Sequence, residues 1–212
     1  MPPLTGRTRP PAREPEGAVV LLHGRGADEN DLYPLLDVLD PEQRLLGVTP
    51  QAPLQLPPGG FHWYRLGGIP TPDPETFHGS VPLLAALLEE LPVPLDRVVL
   101  GGFSQGAVMS WAMSLGPGRP RPAGVIAMSG FLPRVDGWPL TLAGLEGFPV
   151  LIAHGSLDPV IAFDFGREAR DALTAAGADV TWRESPMPHT IDPGFVPDLQ
   201  AFVRRVLGPP SS

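Results

Sequence analysis

Ser104 lies in Leu100-Gly101-Gly102-Phe103-Ser104-Gln105-Gly106-Ala107, with glycine two positions away on each side. A serine hydroxyl is a weak nucleophile at neutral pH and needs a base to take its proton. An imidazole does this best when a carboxylate holds its tautomer and stabilises its cation. Downstream stand Asp158, in His154-Gly155-Ser156-Leu157-Asp158-Pro159-Val160, and His189, in Met187-Pro188-His189-Thr190. In the order nucleophile, acid, histidine they form an acyl-transfer set: Ser104 attacks a carbonyl carbon, His189 carries the proton, and Asp158 orients His189. The oxyanion of the tetrahedral intermediate needs N–H donors. The backbone amide of Gln105, at the positive end of a helix, supplies one. Arg25, between Gly24 and Gly26 in a loop free to turn its amide inward, supplies the other.

For these residues to converge, each must stand at the carboxyl end of a strand in one sheet. Ala18–Leu22 is a continuous apolar run suited to a strand buried on both faces, and it leads into His23 and Arg25. Arg97–Leu100 precedes Ser104, Phe148–Ala153 precedes Asp158, and Val180–Arg183 precedes His189. Leu45–Val48 and Gly124–Met128 complete the strands. Helical spacing appears in Leu32, Leu35, Leu36 and Leu39, with Asp28 and Asn30 as candidate N-caps. It appears again over His78–Leu91, Gln105–Leu115 and Phe163–Ala176, and from Pro197 to Val206, with Gly177 and Gly208 as stops. Strands alternating with helices predict an α/β protein with a mostly parallel central sheet and helices on both faces. Residues 1–16 read as an N-terminal arm over the surface, and residues 17–208 as one domain. Gln51–Gly79 is too long and too rich in proline, glycine and aromatics for an ordinary connection. Phe61, Trp63 and Tyr64 within it are candidate substrate-binding residues, with loop packing as the other reading.

Other readings of the same residues stay open. Asp158 before a proline is also a turn former. His154 precedes the acid at a strand end, where a structural role is favoured, and His62 and His78 have no partner by position. Gly24-x-Gly26 after a strand is half of a dinucleotide fingerprint, but Glu29 stands at the third glycine's place and Asp28-Glu29 would repel a pyrophosphate. A ligand-binding protein without catalysis remains a further alternative, separated from an enzyme by covalent labelling of Ser104.

At 212 residues with 42% apolar content, the chain is long enough for one domain with a sizeable core. A formal charge of −8 opposes nucleic acid and anionic membrane surfaces, which leaves a small-molecule substrate and no stable membrane association as the expectation. With no cysteine, thiolate chemistry, disulfides and Cys-ligated metals are excluded; no metal or cofactor is expected. The first residues carry no apolar signal-peptide core, and we read a cytoplasmic protein, for which a homodimer is one permitted assembly. All 15 basic residues are arginine, among 30 prolines and 25 glycines. Genome composition and stiffer, heat-stable loops both account for that bias.

The segments HGRGADEND, QAP, HWYRL, LGGFSQGA, HGSLDPVI and MPH, in this order, resemble the phospholipase/carboxylesterase family of α/β-hydrolases, which includes the acyl-protein thioesterases. The likeness runs over nearly the whole chain, and GFSQG and HGxxDPV are far more specific than the bare pentad. It implies an α/β-hydrolase fold without a large cap domain. It also implies metal-free hydrolysis of carboxylic esters, lysophospholipids or acyl thioesters, with Ser104, Asp158 and His189 as triad and the Arg25 and Gln105 amides as oxyanion hole. Thioesterases of the family commonly carry leucine where Arg25 stands. From the short stretch left to build a pocket, the expectation is a serine carboxylesterase for short to medium acyl chains, with thioesters or lysophospholipids as the alternative.

Overall fold

Parallel strands covered on both faces must be apolar on both, and here each such run supplies side chains alternately to two cores. In the computed structural model, which describes residues 3–208, strand β2 (Ala18–Leu22) sends Ala18, Val20 and Leu22 to one side and Val19 and Leu21 to the other. The chain runs β1 (Gly6–Arg9), β2, α1 (Tyr33–Leu39), β3 (Leu46–Pro50), the two-residue strands β4 (Leu54–Gln55) and β5 (Phe61–His62), then α2 (Pro74–Glu89). It continues through β6 (Val98–Phe103), α3 (Gln105–Leu115), β7 (Gly124–Met128), β8 (Pro149–Gly155), α4 (Phe163–Ala175), β9 (Asp179–Ser185) and α5 (Val196–Leu207).

Seven strands form one sheet in the order β1-β3-β2-β6-β7-β8-β9, parallel except for β1, while β4 and β5 make a separate small hairpin. Helices α1 and α5 cover one face; α2, α3 and α4 cover the other. After β2 the chain crosses by α1 to β3 on one side, then returns by α2 to β6 on the other. The strand order therefore reverses between β2 and β6, and the crevice at their carboxyl ends is where an open α/β sheet binds its ligand. Arg25 follows β2 and Ser104 follows β6, so the topology alone brings them together. This is the α/β-hydrolase fold, and no cap domain interrupts the described residues.

Three of the differences from the sequence reading have a clear physical cause. The arm is not merely laid over the surface: Gly6–Arg9 pairs antiparallel with β3 as an edge strand, Gly6 opposite Pro50 and Arg9 opposite Gly47. Its anchor is polar. The buried Arg9 guanidinium donates to Leu36 O, Asp40 O, Leu45 O and, at 2.5 Å, to Asp40 Oδ2. Residues 1 and 2 of that arm lie outside the described residues. Helix α1 starts without a side-chain cap, since Asp28 Oδ1 accepts instead from the amide and side chain of Asn30. Helix α2 starts at Pro74, four residues earlier than expected, because Asp73 caps it by accepting from Thr76 N at 3.1 Å and proline suits a first helical turn.

Candidate active site

Strand β6 ends at Phe103 and α3 begins at Gln105, leaving Ser104 alone to turn the chain. It does so at φ 55° and ψ −119°, a conformation that costs a non-glycine residue about 1–3 kcal/mol. Tight packing imposes it: Ser104 N donates to Met128 O at 2.9 Å, and every residue of α3 is buried. A Cβ at Gly106 would sit 1.8 Å from Leu22 O, and one at Gly102 would sit 2.4 Å from the Gly106 carbonyl carbon. The two glycines of the pentad are therefore required because any side chain there would collide with the neighbouring backbone.

The acid and the histidine arrive on two loops held to each other. Ser156 N donates to Ser185 O and Leu157 N to Met187 O, so the turn after β8 is tied to the turn after β9. Gly155 allows the crossing, since a Cβ there would meet Met187 O at 2.3 Å and Pro188 O at 2.6 Å. His189 Nε2 then lies 2.9 Å from Ser104 Oγ, and His189 Nδ1 lies 2.6 Å from Asp158 Oδ2. The Asp158 side chain is fully buried and that of His189 is 16% exposed. Asp158 Oδ1 accepts from Val160 N at 2.8 Å and Ile161 N at 2.9 Å, which fixes the carboxylate so that its other oxygen faces the imidazole. With that oxygen taking the Nδ1 proton, Nε2 is the acceptor facing the serine. Phe103 packs its ring 4.7 Å from that of His189.

His154 takes the structural role expected of it. Its Nε2 donates to Ile161 O at 2.9 Å, burial pushes its pKa down, and it stands 3.6 Å behind Asp158 Oδ2. His23 holds the Arg25 loop in a similar way. Its Nε2 accepts from Ala52 N at 3.0 Å, so Nδ1 carries the proton and donates to Gly24 O at 2.7 Å. Burial favours this neutral form by lowering the His23 pKa. Gly26 N donates to Phe61 O and Phe61 N to Ala27 O, clamping the far side of the loop. A Cβ at Gly24 would stand 3.3 Å from the Ser104 Cβ, so the loop passes directly beside the serine. Among the described residues, neither the Arg25 amide nor the Gln105 amide has a hydrogen-bond acceptor.

Trp63 and Tyr64 are not exposed to a substrate. Both are buried to within 1% in the core under α2, and Trp63 Nε1 donates to His23 O at 2.9 Å. Phe61 packs half-buried against the same core. An aromatic pair in a Pro-Gly-rich segment resembles a ligand surface, but so much apolar area is more stable under the helix. What sequence reasoning missed is the side chain of Gln105. Its Oε1 accepts from Trp63 N at 3.1 Å and its Nε2 donates to Tyr64 O at 2.9 Å, locking the elbow to the aromatic pair. Its place immediately after the nucleophile was the available signal. An open groove of about 550 Å³ lies beside the Arg25 loop, bordered by Leu54, Leu56, His62, Arg65 and Leu66 and by none of Phe61, Trp63 and Tyr64.

The chain is similar to proteins of one family over nearly its whole length. The family model described as Phospholipase/Carboxylesterase matches residues 6–207. Acyl-protein thioesterase 1 of Debaryomyces hansenii is 29% identical over 220 residues, covering 92% of this chain and 94% of that protein. The protein of the same name from Yarrowia lipolytica is 31% identical over 190 residues, covering 82% and 83%. Among solved structures, acyl-protein thioesterase 2 of Zea mays superposes with a TM-score of 0.74 at 26% identity, covering 96% of this chain and all of that one. The Bacillus cereus carboxylesterase superposes at 0.83 with 24% identity, covering 96% and 94%. The chain belongs to the phospholipase/carboxylesterase family of α/β-hydrolases, whose members include esterases and thioesterases.

Proposed function

We propose that this chain is a serine hydrolase that cleaves small carboxylic esters of short to medium acyl chain through an acyl-enzyme. The observation that carries the reading is the hydrogen-bonded line from Asp158 through His189 to Ser104 Oγ, 2.6 and 2.9 Å long. Ser104 Oγ attacks the ester carbonyl as His189 Nε2 takes its proton, and the oxyanion forms between the amides of Arg25 and Gln105. Collapse expels the alcohol, which leaves with the proton from His189. Water, deprotonated by the same nitrogen, then attacks the acyl-Ser104 and releases the acid and the free serine. The groove beside Arg25 supports a limited chain length, because it is open to solvent and does not enclose a long acyl tail. Its volume is that of an ordinary small-ligand site. We place the activity in the cytoplasm. A net charge of −8 weakens adsorption to anionic surfaces, and no helix among the described residues is long and apolar enough to cross a membrane.

A second reading, an acyl-thioesterase or lysophospholipase, is favoured by the names of the similar thioesterases. A p-nitrophenyl ester series from acetate to palmitate, run beside an acyl thioester and a lysophospholipid, separates the two. Each buried methylene contributes about 0.8 kcal/mol, or about fourfold in kcat/KM, and the gain should end near about four to eight carbons. A rise continuing to palmitate, or a thioester cleaved far faster than its oxygen ester, would favour the second reading.

A further inference from the structure

An oxyanion hole built from two elements works only while its donors keep their spacing, and a donor about 0.5 Å out of place has left the range of a good hydrogen bond. The Gln105 amide belongs to a fully buried helix, whereas the Arg25 amide rides on a loop. Strands β2 and β6 stay in register only as far as Leu22 opposite Gly102. Past that point the Arg25 loop is tied to residues 52–63: Ala52 N donates to His23 Nε2, Gly26 N to Phe61 O, and Trp63 Nε1 to His23 O. That segment must in turn be fixed to the elbow, and Gln105 fixes it. Its side chain accepts from Trp63 N at 3.1 Å and donates to Tyr64 O at 2.9 Å.

Trp63 is where the two attachments meet. Its main chain is held by Gln105 and, at its carbonyl, by Ser80 Oγ at 2.5 Å. Its indole N–H reaches back to His23 O at 2.9 Å, and its ring lies 5.5 Å from the His23 imidazole. The same imidazole donates from Nδ1 to Gly24 O at 2.7 Å. Gly24 O belongs to the peptide that carries the Arg25 N–H. That peptide is trans, so its N–H points opposite to its C=O, and a donor that fixes the carbonyl also fixes the aim of the amide. An indole packed in a core needs only some acceptor for its N–H. Here the acceptor is the carbonyl at the head of the oxyanion loop. A chain of three hydrogen bonds thus runs from the Gln105 side chain through Trp63 and His23 to the Arg25 peptide.

Resting on the esterase reading above, we propose that Trp63 is a positioning residue for the oxyanion hole: seated on the Gln105 side chain, it sets through His23 the aim of the Arg25 amide relative to that of Gln105. It touches no substrate. Its effect falls on the transition state, in which the carbonyl oxygen becomes an anion and draws on both amides, and far less on the bound ester.

Trp63→Phe removes the indole donor and leaves an aromatic ring in the core. With p-nitrophenyl butyrate, kcat/KM should fall about 10- to 100-fold, short of the loss of a whole oxyanion donor, and the fall should lie in kcat with KM changed less than about threefold. A second reading is the inhibition constant of propyl trifluoromethyl ketone, which carries the butyryl chain. Ser104 Oγ adds to its carbonyl carbon, the π pair becomes an oxyanion in the hole, and the serine proton passes to His189. Its binding should weaken by the same factor as kcat/KM. Trp138→Phe is the control: it deletes the same N–H from a bond to Ala112 O at 3.3 Å, about two turns along α3 from Ser104, and should leave both constants within about twofold of wild type. Gln105→Met keeps the Gln105 amide and cuts the chain at its other end. It should show the same paired loss, and it carries the test if Trp63→Phe does not fold.

Activity and ketone binding both within about threefold of wild type in these variants would overturn the inference and leave the esterase reading standing. So would a fall in kcat with ketone binding unchanged, since the damage would then lie outside the hole, or an equal loss in Trp138→Phe, which would mark a general loosening of the core. A wild type that neither hydrolyses the butyrate nor takes a covalent label on Ser104 would overturn both.

Discussion

Replacing Asp158 by asparagine turns one oxygen of a buried carboxylate into an amide nitrogen, and so tests the direction of every hydrogen bond around it. Val160 N and Ile161 N reach Oδ1 at 2.8 and 2.9 Å, and His189 Nδ1 lies 2.6 Å from Oδ2. Asparagine offers one acceptor and one donor for these two places. If its oxygen stays with the two amides, its NH₂ faces His189 Nδ1, which must then be bare, and the ring proton moves to Nε2. There it points at Ser104, and His189 has no lone pair left to take the serine proton. The opposite rotamer preserves the productive tautomer but sets an NH₂ against two buried N–H groups. Leaving both unsatisfied costs about 2–6 kcal/mol, at about 1–3 kcal/mol each. The productive rotamer is then scarcer by about 30-fold to about 10⁴-fold, and kcat should fall by a factor in that range. KM should change less than about threefold, since the substrate touches neither atom. Steady-state hydrolysis of p-nitrophenyl butyrate measures both, and a thermal melt confirms the fold. A kcat within about fivefold of wild type would refute the reasoning, since even the smaller penalty predicts more. So would abolition by Asp136→Asn or Asp164→Asn instead. The first of these residues meets His78 through its backbone oxygen, and the second is an exposed partner of Arg167.

Other consequences concern the scaffold. Gly106→Ala forces a Cβ to 1.8 Å from Leu22 O and should destabilise by at least about 3 kcal/mol, whereas Gly59→Ala, with nothing within 4 Å, should lie within about 0.5 kcal/mol of wild type by denaturant unfolding. Asp40→Ala removes the buried carboxylate of the Arg9 guanidinium, leaving only the exposed Asp37 at 3.5 Å, and should cost about 3 kcal/mol in the same experiment. Burial pushes the imidazoles of His23, His62 and His154 below 6.5, so the unfolded chain binds protons that the folded one refuses. Their stabilisation is complete above pH 6.5 and is lost as the pH falls through that value towards the folded pKa values. Burial of Asp31 pushes its pKa up and works the opposite way, but against three histidines it should not reverse the sign. Tm should therefore drop between about pH 7.5 and about pH 5, and a Tm that rises over that range would contradict the histidine assignment.

What could be read from the sequence follows from what each residue needs. Ala18–Leu22 and Gly124–Met128 are buried on both faces, so their composition is unambiguous, and the observed strands have the same limits. Ser104, Asp158 and His189 could be located because each follows such a run, and chain order then separates acid from base. Gly6–Arg9 could not be recognised as a strand. Its burial rests on one arginine whose partners, Leu36, Asp40 and Leu45, lie 27 to 36 residues away. The aromatic pair stayed open between substrate contact and loop packing for a related reason. Trp63 and Tyr64 sit among glycines and prolines, and only the fold of α2 over them, with Gln105 reaching across 42 and 41 residues to their backbone, shows that they are core. Local pattern reveals regular elements; it does not reveal which distant partner neutralises a buried polar group.

The central claim is that Ser104 is a nucleophile activated by His189. A fluorophosphonate forms a bond from an activated serine oxygen to phosphorus, with loss of fluoride, and digestion followed by mass spectrometry locates the adduct. The adduct is expected on the peptide containing Ser104, with esterase activity lost in step with labelling. Ser104→Ala should take no label and should hydrolyse p-nitrophenyl butyrate about 10⁴-fold more slowly while keeping the wild-type melt. An adduct on another residue, or Ser104→Ala turning over at a rate comparable to wild type, would contradict the account.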